Sequence, residues 1–374
     1  MNAIPFIDLQ SQRRAMGEQI EEAILRVVRH GIYIMGPEVI ELEKKLSDFC
    51  GAREVISCAN GTDALAMVMM AKNVKPGDAI FCPSFTFAAT GEVICWFGAT
   101  PVFIDIVPET FNMDVNSLKA GIKTARDKGL NPAGVIPVDL FGQPADYDAL
   151  LSVADENNLW VLCDSAQSFG AEYKGQKLGT IGLATTTSFF PAKPLGCYGD
   201  GGAIFTDDEE LAKILRSIRV HGEGSNKYDN VRIGMNGRLD TLQAAVLLEK
   251  LKIFPDEIRA RHEIAERYSE GFKDIAIVPQ LLPQTTSVWA QYTLRFPKGK
   301  RDAIATKLKT QGIPTAIYYP KPLHCQPPYA DYPLAGNGLP ISDQLAGEVL
   351  SLPMHAYLAR DVQDNIIAAV REAA

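Results

Sequence analysis

The sequence lacks the features that mark several large classes of protein. None of its apolar runs reaches the roughly 18 residues that indicate a membrane-spanning helix. Basic residues are in deficit, since 37 lysines and arginines stand against 45 aspartates and glutamates and give a net charge of −8. Binding to nucleic acid or to an anionic membrane requires a basic face. We therefore expect no nucleic acid and no membrane as partner, but small molecules or other proteins.

Cysteines are few and show no pairing pattern. There are seven, an odd number, and no two have the spacing of a C-x-x-C motif. Most follow an apolar residue in an apolar run, which is typical of reduced, buried thiols. The first residues, Met1 to Pro5, lack the basic and then apolar pattern of a secretory signal. These features predict a cytoplasmic protein.

Several common cofactor motifs are also missing. The chain contains neither the G-x-G-x-x-G fingerprint of dinucleotide-binding folds nor the G-x-x-x-x-G-K-[ST] phosphate loop. Its five histidines include no H-x-x-x-H pair, so we expect no metal site. No G-x-S-x-G nucleophile motif occurs either.

The chain instead alternates short β-rich runs with helical stretches. Seven runs predict strands, most of them buried on both faces: Val55–Cys58, Ala79–Pro83, Pro101–Asp105, Val135–Val138, Trp160–Asp164, Thr185–Phe189 and Ala203–Thr206. Such alternation predicts an α/β sheet covered by helices, which we assign to a large domain, residues 1–251, with a helical lead-in. Two helices, Leu239–Leu251 and Glu257–Phe272, then a strand within Val288–Phe296, predict a smaller α+β domain over residues 252–374.

Two segments at predicted strand ends offer groups for an anion and a cation. Gly61, Thr62 and Asp63 open a helix after a strand, where free N–H groups and the positive end of the helix dipole suit a phosphate. The alternative is that Thr62 or Asp63 only caps the helix. Asp164 ends an apolar strand, where a carboxylate needs a cation or several donors. The alternative there is a turn carboxylate.

A third segment holds a lysine in a stiff turn. Lys193 lies between Pro191 and Pro194, and Ser188 closes the strand before it. A lysine held beside apolar rings is a candidate for a lowered pKa, although most lysines are solvated surface residues. Pyridoxal phosphate requires three such groups: a phosphate cup like the helix start at Gly61, a carboxylate for its pyridine nitrogen and a lysine for its aldehyde.

At this point the sequence resembles a known family, the fold type I pyridoxal-phosphate (PLP) aminotransferases that act on nucleotide-linked keto sugars. The resemblance runs from Phe6 to about Met354. It rests on seven short sequence motifs: Gly36–Glu38, Asn60–Leu65, Pro83–Phe87, Asp164–Ser168, Ser188–Lys193, Gly199–Gly202 and Asn236–Asp240. It implies a large, mainly parallel seven-stranded sheet domain with helices on both faces, followed by a smaller α+β C-terminal domain.

The resemblance also implies roles for individual residues. Lys193 matches the Schiff-base lysine, Asp164 the partner of the pyridinium nitrogen, and Gln167 the residue near the cofactor O3′. Phe87 matches the aromatic ring stacked on the pyridine, with Phe85 as the substitute if the register differs. The matches to the phosphate site are Gly61, Thr62 and Ser188, with Asp63 beside them.

One further match, Asn236, implies a homodimer with shared sites, since this residue reaches the phosphate of the neighbouring subunit's cofactor in the family. Two alternatives stay open: Phe87 as a core residue, and Asn236 as a turn residue at the start of the following helix. For the sugar, the resemblance implies Tyr318, Tyr319 and His324, with Arg238 offered across the dimer. His324 has a structural role as its alternative.

The implied reaction is transfer of an amino group from L-glutamate to a keto sugar, with pyridoxamine phosphate as the intermediate form of the cofactor. Two segments, Arg29–Val39 and Ser188–Thr206, look most like enzymes that aminate C3 of a UDP-2-acetamido-3-keto-glucuronate for bacterial surface polysaccharides such as O-antigen. The alternatives are another 3-keto or 4-keto hexose on UDP, dTDP or GDP, a sugar dehydratase, or a non-catalytic regulator. Arg219 and His221 are candidates for contact with the anionic nucleotide.

Overall fold

The computed structural model describes residues 4–374. Eleven strands lie in this part of the chain: β1 (Glu54–Cys58), β2 (Asp78–Pro83), β3 (Thr100–Ile104), β4 (Asn131–Val135), β5 (Trp160–Asp164), β6 (Glu172–Tyr173), β7 (Gln176–Lys177), β8 (Ala184–Ser188), β9 (Gly202–Thr206), β10 (Tyr292–Arg295) and β11 (Val349–Leu352). The α-helices are α1 (Leu9–Met16), α2 (Gln19–His30), α3 (Pro37–Cys50), α4 (Gly61–Ala71), α5 (Ala88–Trp96), α6 (Val115–Asp127), α7 (Tyr147–Glu156), α8 (Glu209–Arg219), α9 (Thr241–Phe272), α10 (Arg301–Thr310), α11 (Pro340–Ala346) and α12 (Arg360–Ala373).

Seven strands form the central sheet, in the order β1-β9-β8-β5-β4-β2-β3. Strand β9 runs antiparallel to both of its neighbours, and every other pair is parallel. The mainly parallel, seven-stranded sheet is therefore confirmed. Because β5 and β8 are parallel and adjacent, with Asp164 paired to Thr186, their carboxyl ends meet at one edge of the sheet.

Helices cover both faces of this sheet, as its alternating side chains require. On β1, Val55 joins a cluster with residues of α3 and α9, whereas Ile56 joins a cluster with residues of α4, α5 and α8. Neighbouring residues of a strand point to opposite faces, so the two clusters lie on opposite sides. The sheet is consequently buried on both faces, which explains why its strands read as continuous apolar runs.

The long helix α9 corrects one prediction. The two helices expected at Leu239–Leu251 and Glu257–Phe272 are a single helix from Thr241 to Phe272, with Pro255 inside it. Proline removes one helical hydrogen bond. The helix nevertheless continues, because Phe254 and Ile258 pack on both sides of the proline against Gly170. The predicted domain boundary at 251/252 falls within this helix, and the domain division stays a prediction.

The C-terminal part builds its own apolar cluster. The predicted strand is shorter than expected, since β10 spans Tyr292–Arg295, and it pairs antiparallel with β11. The second half of α9 joins β10, α10 and α12 around Tyr268, Phe272 and Ile366. A smaller cluster joins Phe85 and Phe141 at the sheet edge to Leu345 and Val349. No helix within residues 4–374 combines the length and the apolar composition that crossing a membrane needs.

Candidate active site

The first helix after β1 presents unpartnered backbone donors. Asn60, and not Thr62 or Asp63, caps α4, because its side-chain oxygen accepts the Asp63 N–H at 2.8 Å. The N–H groups of Gly61 and Thr62 have no acceptor within residues 4–374. Free N–H groups at a helix N-terminus form a site for an anion.

Ser188 completes this cup from the end of β8, which β9 separates from β1 in the sheet. A Cβ atom built on Gly61 would lie only 2.8 Å from the Ser188 Cβ, so glycine is needed for this close approach. The Ser188 hydroxyl accepts the Phe190 N–H at 3.2 Å and keeps its own proton to donate. Asp63 is half-buried on the same turn, and burial raises its pKa. The predicted phosphate residues, Gly61, Thr62, Asp63 and Ser188, are thus brought together.

Asp164 ends β5 with its carboxylate buried. The residue is 6% exposed, and its two oxygens accept the Ala166 N–H at 3.1 Å and the Thr90 hydroxyl at 3.2 Å. Burial raises the pKa of this carboxyl, while the hydrogen bond from Ala166 and the positive charge of Lys193 act in the opposite direction. A buried carboxylate with only two donors is suited to a further cationic partner.

Lys193 lies in a compact turn that follows β8. Its backbone N–H donates to the Phe190 carbonyl at 2.8 Å, and the Cys197 N–H donates to the Phe189 carbonyl at 2.8 Å. A Cβ on Gly196 would lie 2.5 Å from the Pro191 carbonyl oxygen, so only glycine permits this turn. Burial of the amine lowers the pKa of Lys193, against the opposing effect of Asp164. A larger share of this amine is therefore neutral and nucleophilic than for a surface lysine.

Gln167 connects the cofactor side to the predicted sugar loop. It is 6% exposed. Its side-chain oxygen accepts the Phe141 N–H at 2.8 Å, and its amide lies 3.3 Å from the Tyr319 hydroxyl, to which it donates. Tyr319 is thereby placed within reach of the residues that follow β5.

The two phenylalanines considered for ring stacking lie in different environments. Phe85 is 1% exposed and packs in the cluster with Phe141. Phe87 is 58% exposed at the start of α5, one turn before Thr90, whose hydroxyl reaches Asp164. An exposed aromatic ring beside the site suits stacking on a planar ligand, and this placement favours Phe87 over Phe85.

Asp139 is a residue that our sequence analysis missed. It is fully buried just beyond β4, next to β5, and it accepts hydrogen bonds from Ser165 and Ser168 at 2.7 and 2.9 Å. The Tyr147 hydroxyl and the Ala145 N–H donate to its other oxygen. Burial raises the pKa of Asp139 to about 6. Asp139 thus holds the turn that carries Asp164 and Gln167, and its position after a predicted strand was the available signal.

The remaining predicted residues lie on loops around this edge. Asn236 and Arg238 flank Gly237, whose carbonyl accepts the Ala59 N–H at 3.0 Å. Asn236 is exposed, and the Arg238 Nε is buried without a partner in residues 4–374. Tyr318 is half-buried beside Tyr319, with 5.8 Å between ring centroids.

His324 is held inside the chain on both sides of its ring. Its Nδ1 lies 2.7 Å from the Ser84 hydroxyl, and its Nε2 lies 3.2 Å from an Asp343 oxygen. Both contacts agree with the structural alternative for this residue, and its role toward a sugar stays a prediction.

The expectation for Arg219 is wrong. Its guanidinium is buried and donates to Glu43 Oε1 at 2.6 Å and to the Ser57 carbonyl at 2.9 Å. The guanidinium charge that we expected to contact a nucleotide is therefore neutralised by Glu43 inside the protein. His221 is exposed, so its predicted role stays open to test.

The groups present fit pyridoxal phosphate. Two free backbone donors and the Ser188 hydroxyl suit a phosphate, the buried Asp164 carboxylate suits a protonated pyridine nitrogen, and the Lys193 amine of lowered pKa suits the aldehyde. All three lie at or just beyond the ends of β1, β5 and β8 on one sheet. In open α/β sheets this edge is where ligands bind.

Comparisons with known proteins agree with this geometry. Residues 14–371 match the DegT/DnrJ/EryC1/StrS aminotransferase family. The chain is 49% identical over 356 residues, 95% of its length, to UDP-2-acetamido-2-deoxy-3-oxo-D-glucuronate aminotransferase of Pseudomonas aeruginosa, covering 96% of that protein.

Solved structures extend the likeness to the fold. A DegT/DnrJ/EryC1/StrS aminotransferase from Brucella abortus superposes with a TM-score of 0.97 at 50% identity, covering 99% of both chains. NtdA from Bacillus subtilis, solved with bound PMP, superposes with a TM-score of 0.90 at 29% identity, covering all of this chain and 85% of the other. The chain therefore belongs to the DegT/DnrJ/EryC1/StrS aminotransferase family and is a pyridoxal-phosphate-dependent aminotransferase.

Proposed function

We propose that this enzyme transfers the amino group of L-glutamate to C3 of UDP-2-acetamido-2-deoxy-3-keto-glucuronate, for a bacterial surface polysaccharide such as O-antigen. The observation that carries the aminotransferase chemistry is the convergence of Lys193, Asp164 and the Gly61–Ser188 cup at one sheet edge. The choice of sugar is supported by the 49% identity to the Pseudomonas enzyme over nearly the whole chain.

The residues of the chain divide the chemistry among them. When bound, pyridoxal phosphate supplies an electron sink for the carbon that carries the amino group. Asp164 would hold a proton at the pyridine nitrogen, since within residues 4–374 Lys193 is the cationic side chain that acts on its buried carboxylate. Lys193 would hold the aldehyde carbon, and its free amine would move a proton between the donor Cα and C4′ of the cofactor.

The lowered pKa of Lys193 serves both of its tasks. A neutral amine is required for attack on the aldehyde and again for removal of the Cα proton. Burial provides that neutral form nearer to neutral pH than for a free lysine. Gln167 would hold the cofactor through O3′, and the exposed Phe87 ring would stack on it.

A homodimer with shared sites completes the proposal. The exposed apolar residues Ile32, Tyr33 and Ile34 lie beside the segment that carries Asn236 and Arg238, because Ile34 bridges to Asp240. Exposed apolar surface of this kind is typical of a protein interface. We propose that Asn236 reaches the phosphate, and Arg238 the sugar, in the partner's site, while Tyr318, Tyr319 and His324 serve their own.

The cytoplasm is the proposed location, since all seven cysteines are unpaired, as is typical of a reducing compartment. A dehydratase of this family replaces the Schiff-base lysine, and the presence of Lys193 favours the aminotransferase over that alternative. Retention of the full cofactor constellation likewise favours an enzyme over a regulator.

The proposal is tested by supplying the keto sugar with glutamate and detecting the 3-amino product by mass spectrometry. A matched set of dTDP and GDP 4-keto hexoses serves as the control substrates. Turnover at least tenfold faster with the UDP-3-keto-glucuronate supports the choice of sugar, and faster turnover of a 4-keto hexose contradicts it.

The shared site is tested by subunit mixing. Lys193→Ala and Asn236→Ala proteins are each expected to have low activity. Mixing them should restore activity, because a heterodimer contains one site with both native residues. Failure to restore activity, with exchange of subunits shown independently, contradicts the assignment of Asn236 to the partner's site.

A further inference from the structure

Three potential metal ligands meet beside the short 3-10 helix Leu323–Cys325. The Nε2 of His324 lies 3.2 Å from Asp343 Oδ1, and the thiol of Cys325 lies 3.5 Å from the same oxygen. The three donor atoms lie within 4.8 Å of one another. Of the three residues only His324 enters the proposed function, and a cation on its Nε2 would replace its direct contact with the sugar. We propose that they form a binding site for a divalent transition-metal cation of the zinc type.

The distances are those of a tetrahedral zinc site. With zinc bonds of about 2.0–2.1 Å to nitrogen and oxygen and about 2.3 Å to sulfur, tetrahedral angles place nitrogen and oxygen about 3.3 Å apart, and sulfur and oxygen about 3.5 Å apart. The observed separations are 3.2 and 3.5 Å. The cation therefore needs almost no rearrangement of the two pairs that share Asp343.

The donor set selects the class of cation. One imidazole, one thiolate and one carboxylate suit zinc and its borderline neighbours, whereas magnesium and calcium prefer oxygen donors alone. Asp343 is largely exposed, with 53% of its side chain accessible, so a cation reaches the site from solvent. Three protein ligands leave the fourth position to water.

Ser84 supplies the outer contact that orients the histidine. This buried residue lies just beyond β2, and its hydroxyl lies 2.7 Å from His324 Nδ1 while accepting the His324 N–H at 3.1 Å. Ligating histidines commonly hold their second ring nitrogen in such a bond. The ring is thus fixed before any metal arrives, with Nε2 directed at Asp343.

The proton balance is simple. Without metal, Nε2–H donates to Asp343 and the Ser84 hydroxyl donates to Nδ1. With metal on Nε2, the ring proton resides on Nδ1 and is donated to Ser84, and the Cys325 thiol loses one proton to solvent. The ion would join the 3-10 helix to α11 and hold the loop that contains Tyr318 and Tyr319 in place.

Cobalt(II) titration of the chelator-treated holoenzyme tests the site. We expect one cobalt per chain with the intense visible bands of a tetrahedral ion, at longer wavelengths than the cofactor absorbs, and displacement by zinc. Cys325→Ser and Asp343→Asn should weaken binding at least tenfold, and Ser84→Ala by roughly 10–100-fold. Cys95→Ser is the control, because Cys95 is partly buried like Cys325 but lies outside the site, and it should bind cobalt as the wild type does.

The outcomes separate a metal site from an internal hydrogen-bond relay. Absence of tetrahedral bands in the wild type overturns the proposal, as does a Cys325→Ser protein that binds cobalt unchanged. Circular dichroism is the check that each variant is folded, and the half-buried Cys325 and exposed Asp343 should tolerate these small changes. The test is independent of the sugar substrate, so it stands even if that assignment fails.

Discussion

The two halves of the site are built in different ways. The cofactor half lies on strand ends and one helix start, and its key side chains are buried, with Asp164 and Gln167 each 6% exposed. The proposed substrate half consists of loops, and in the loop before Asn236 the residues Tyr228 and Ile233 are 87% and 84% exposed. The rigid sheet thus positions the cofactor residues, whereas the proposed sugar contacts lie on loops and, in the proposed dimer, on a neighbouring chain.

The largest loss of turnover is expected in the cofactor half, on substitution of Lys193. Lys193→Ala removes the amine that binds the aldehyde and moves the proton, and turnover should fall about 10⁴-fold, the upper range for general acid–base catalysis. Turnover of keto sugar with glutamate is the measurement, and Lys213→Ala on the exposed face of α8 is the control. A loss below about tenfold would remove Lys193 from the chemistry.

Substitutions of Phe85 and Phe87 test which of the two rings belongs to the apolar core and which to the cofactor site. Phe85→Ala empties a buried position and should lower the free energy of unfolding by about 3–5 kcal/mol, whereas Phe87→Ala should lower it by less than about 1 kcal/mol. Phe87→Ala should instead weaken cofactor binding. Denaturant unfolding and cofactor titration of both variants measure the difference. The reverse pattern would assign the stacking ring to Phe85.

Substitution of Asp164 tests whether the negative charge of its carboxylate, or only its contact with the cofactor, supports turnover. Asp164→Asn keeps the shape but cannot hold a proton at the pyridine nitrogen, so turnover should fall roughly 10²–10³-fold. Bound cofactor, measured by absorbance after gel filtration, should remain near one per chain. Complete loss of cofactor would mean that Asp164 anchors the ring, and unchanged turnover would mean that its charge is not used.

The smallest effect is expected in the substrate half. Tyr319→Phe deletes the hydroxyl that lies 3.3 Å from the Gln167 amide, a hydrogen bond worth about 0.5–1.5 kcal/mol. The kcat/KM for the keto sugar should fall roughly three- to tenfold while cofactor occupancy is unchanged. Tyr228→Phe is the surface control. Loss of cofactor from Tyr319→Phe would show that the two halves are not separate.

Most of the sheet was predictable because apolar runs are a local property of the sequence. Six of the seven predicted strands, β1, β2, β3, β5, β8 and β9, match within one residue at each end. The prediction for β4 is wrong in its bounds, since the strand spans Asn131–Val135 and not Val135–Val138, where Val138 makes only an isolated bridge. The continuity of α9 through Pro255 was not predictable, since it depends on packing of both flanks against distant residues such as Gly170.

The site residues show the same difference between local signals and long-range contacts. Lys193, Asp164 and the Gly61 turn have local signals, and the sheet brings them to one edge. The internal partners of Arg219 and His324, namely Glu43 and Ser84, are 176 and 240 residues away in the sequence, and no local pattern predicts them. Two of the four donors on Asp139, Ser165 and Ser168, likewise come from a different strand end.

The most direct test of the central claim is the absorbance spectrum of the purified protein with pyridoxal phosphate, before and after addition of L-glutamate. We predict a visible band from cofactor joined to Lys193, converted by glutamate to the near-ultraviolet absorbance of pyridoxamine phosphate. The Lys193→Ala protein should lack the protein-linked band. A wild-type protein without that band, or a Lys193→Ala protein that retains it, would contradict the assignment of the cofactor lysine.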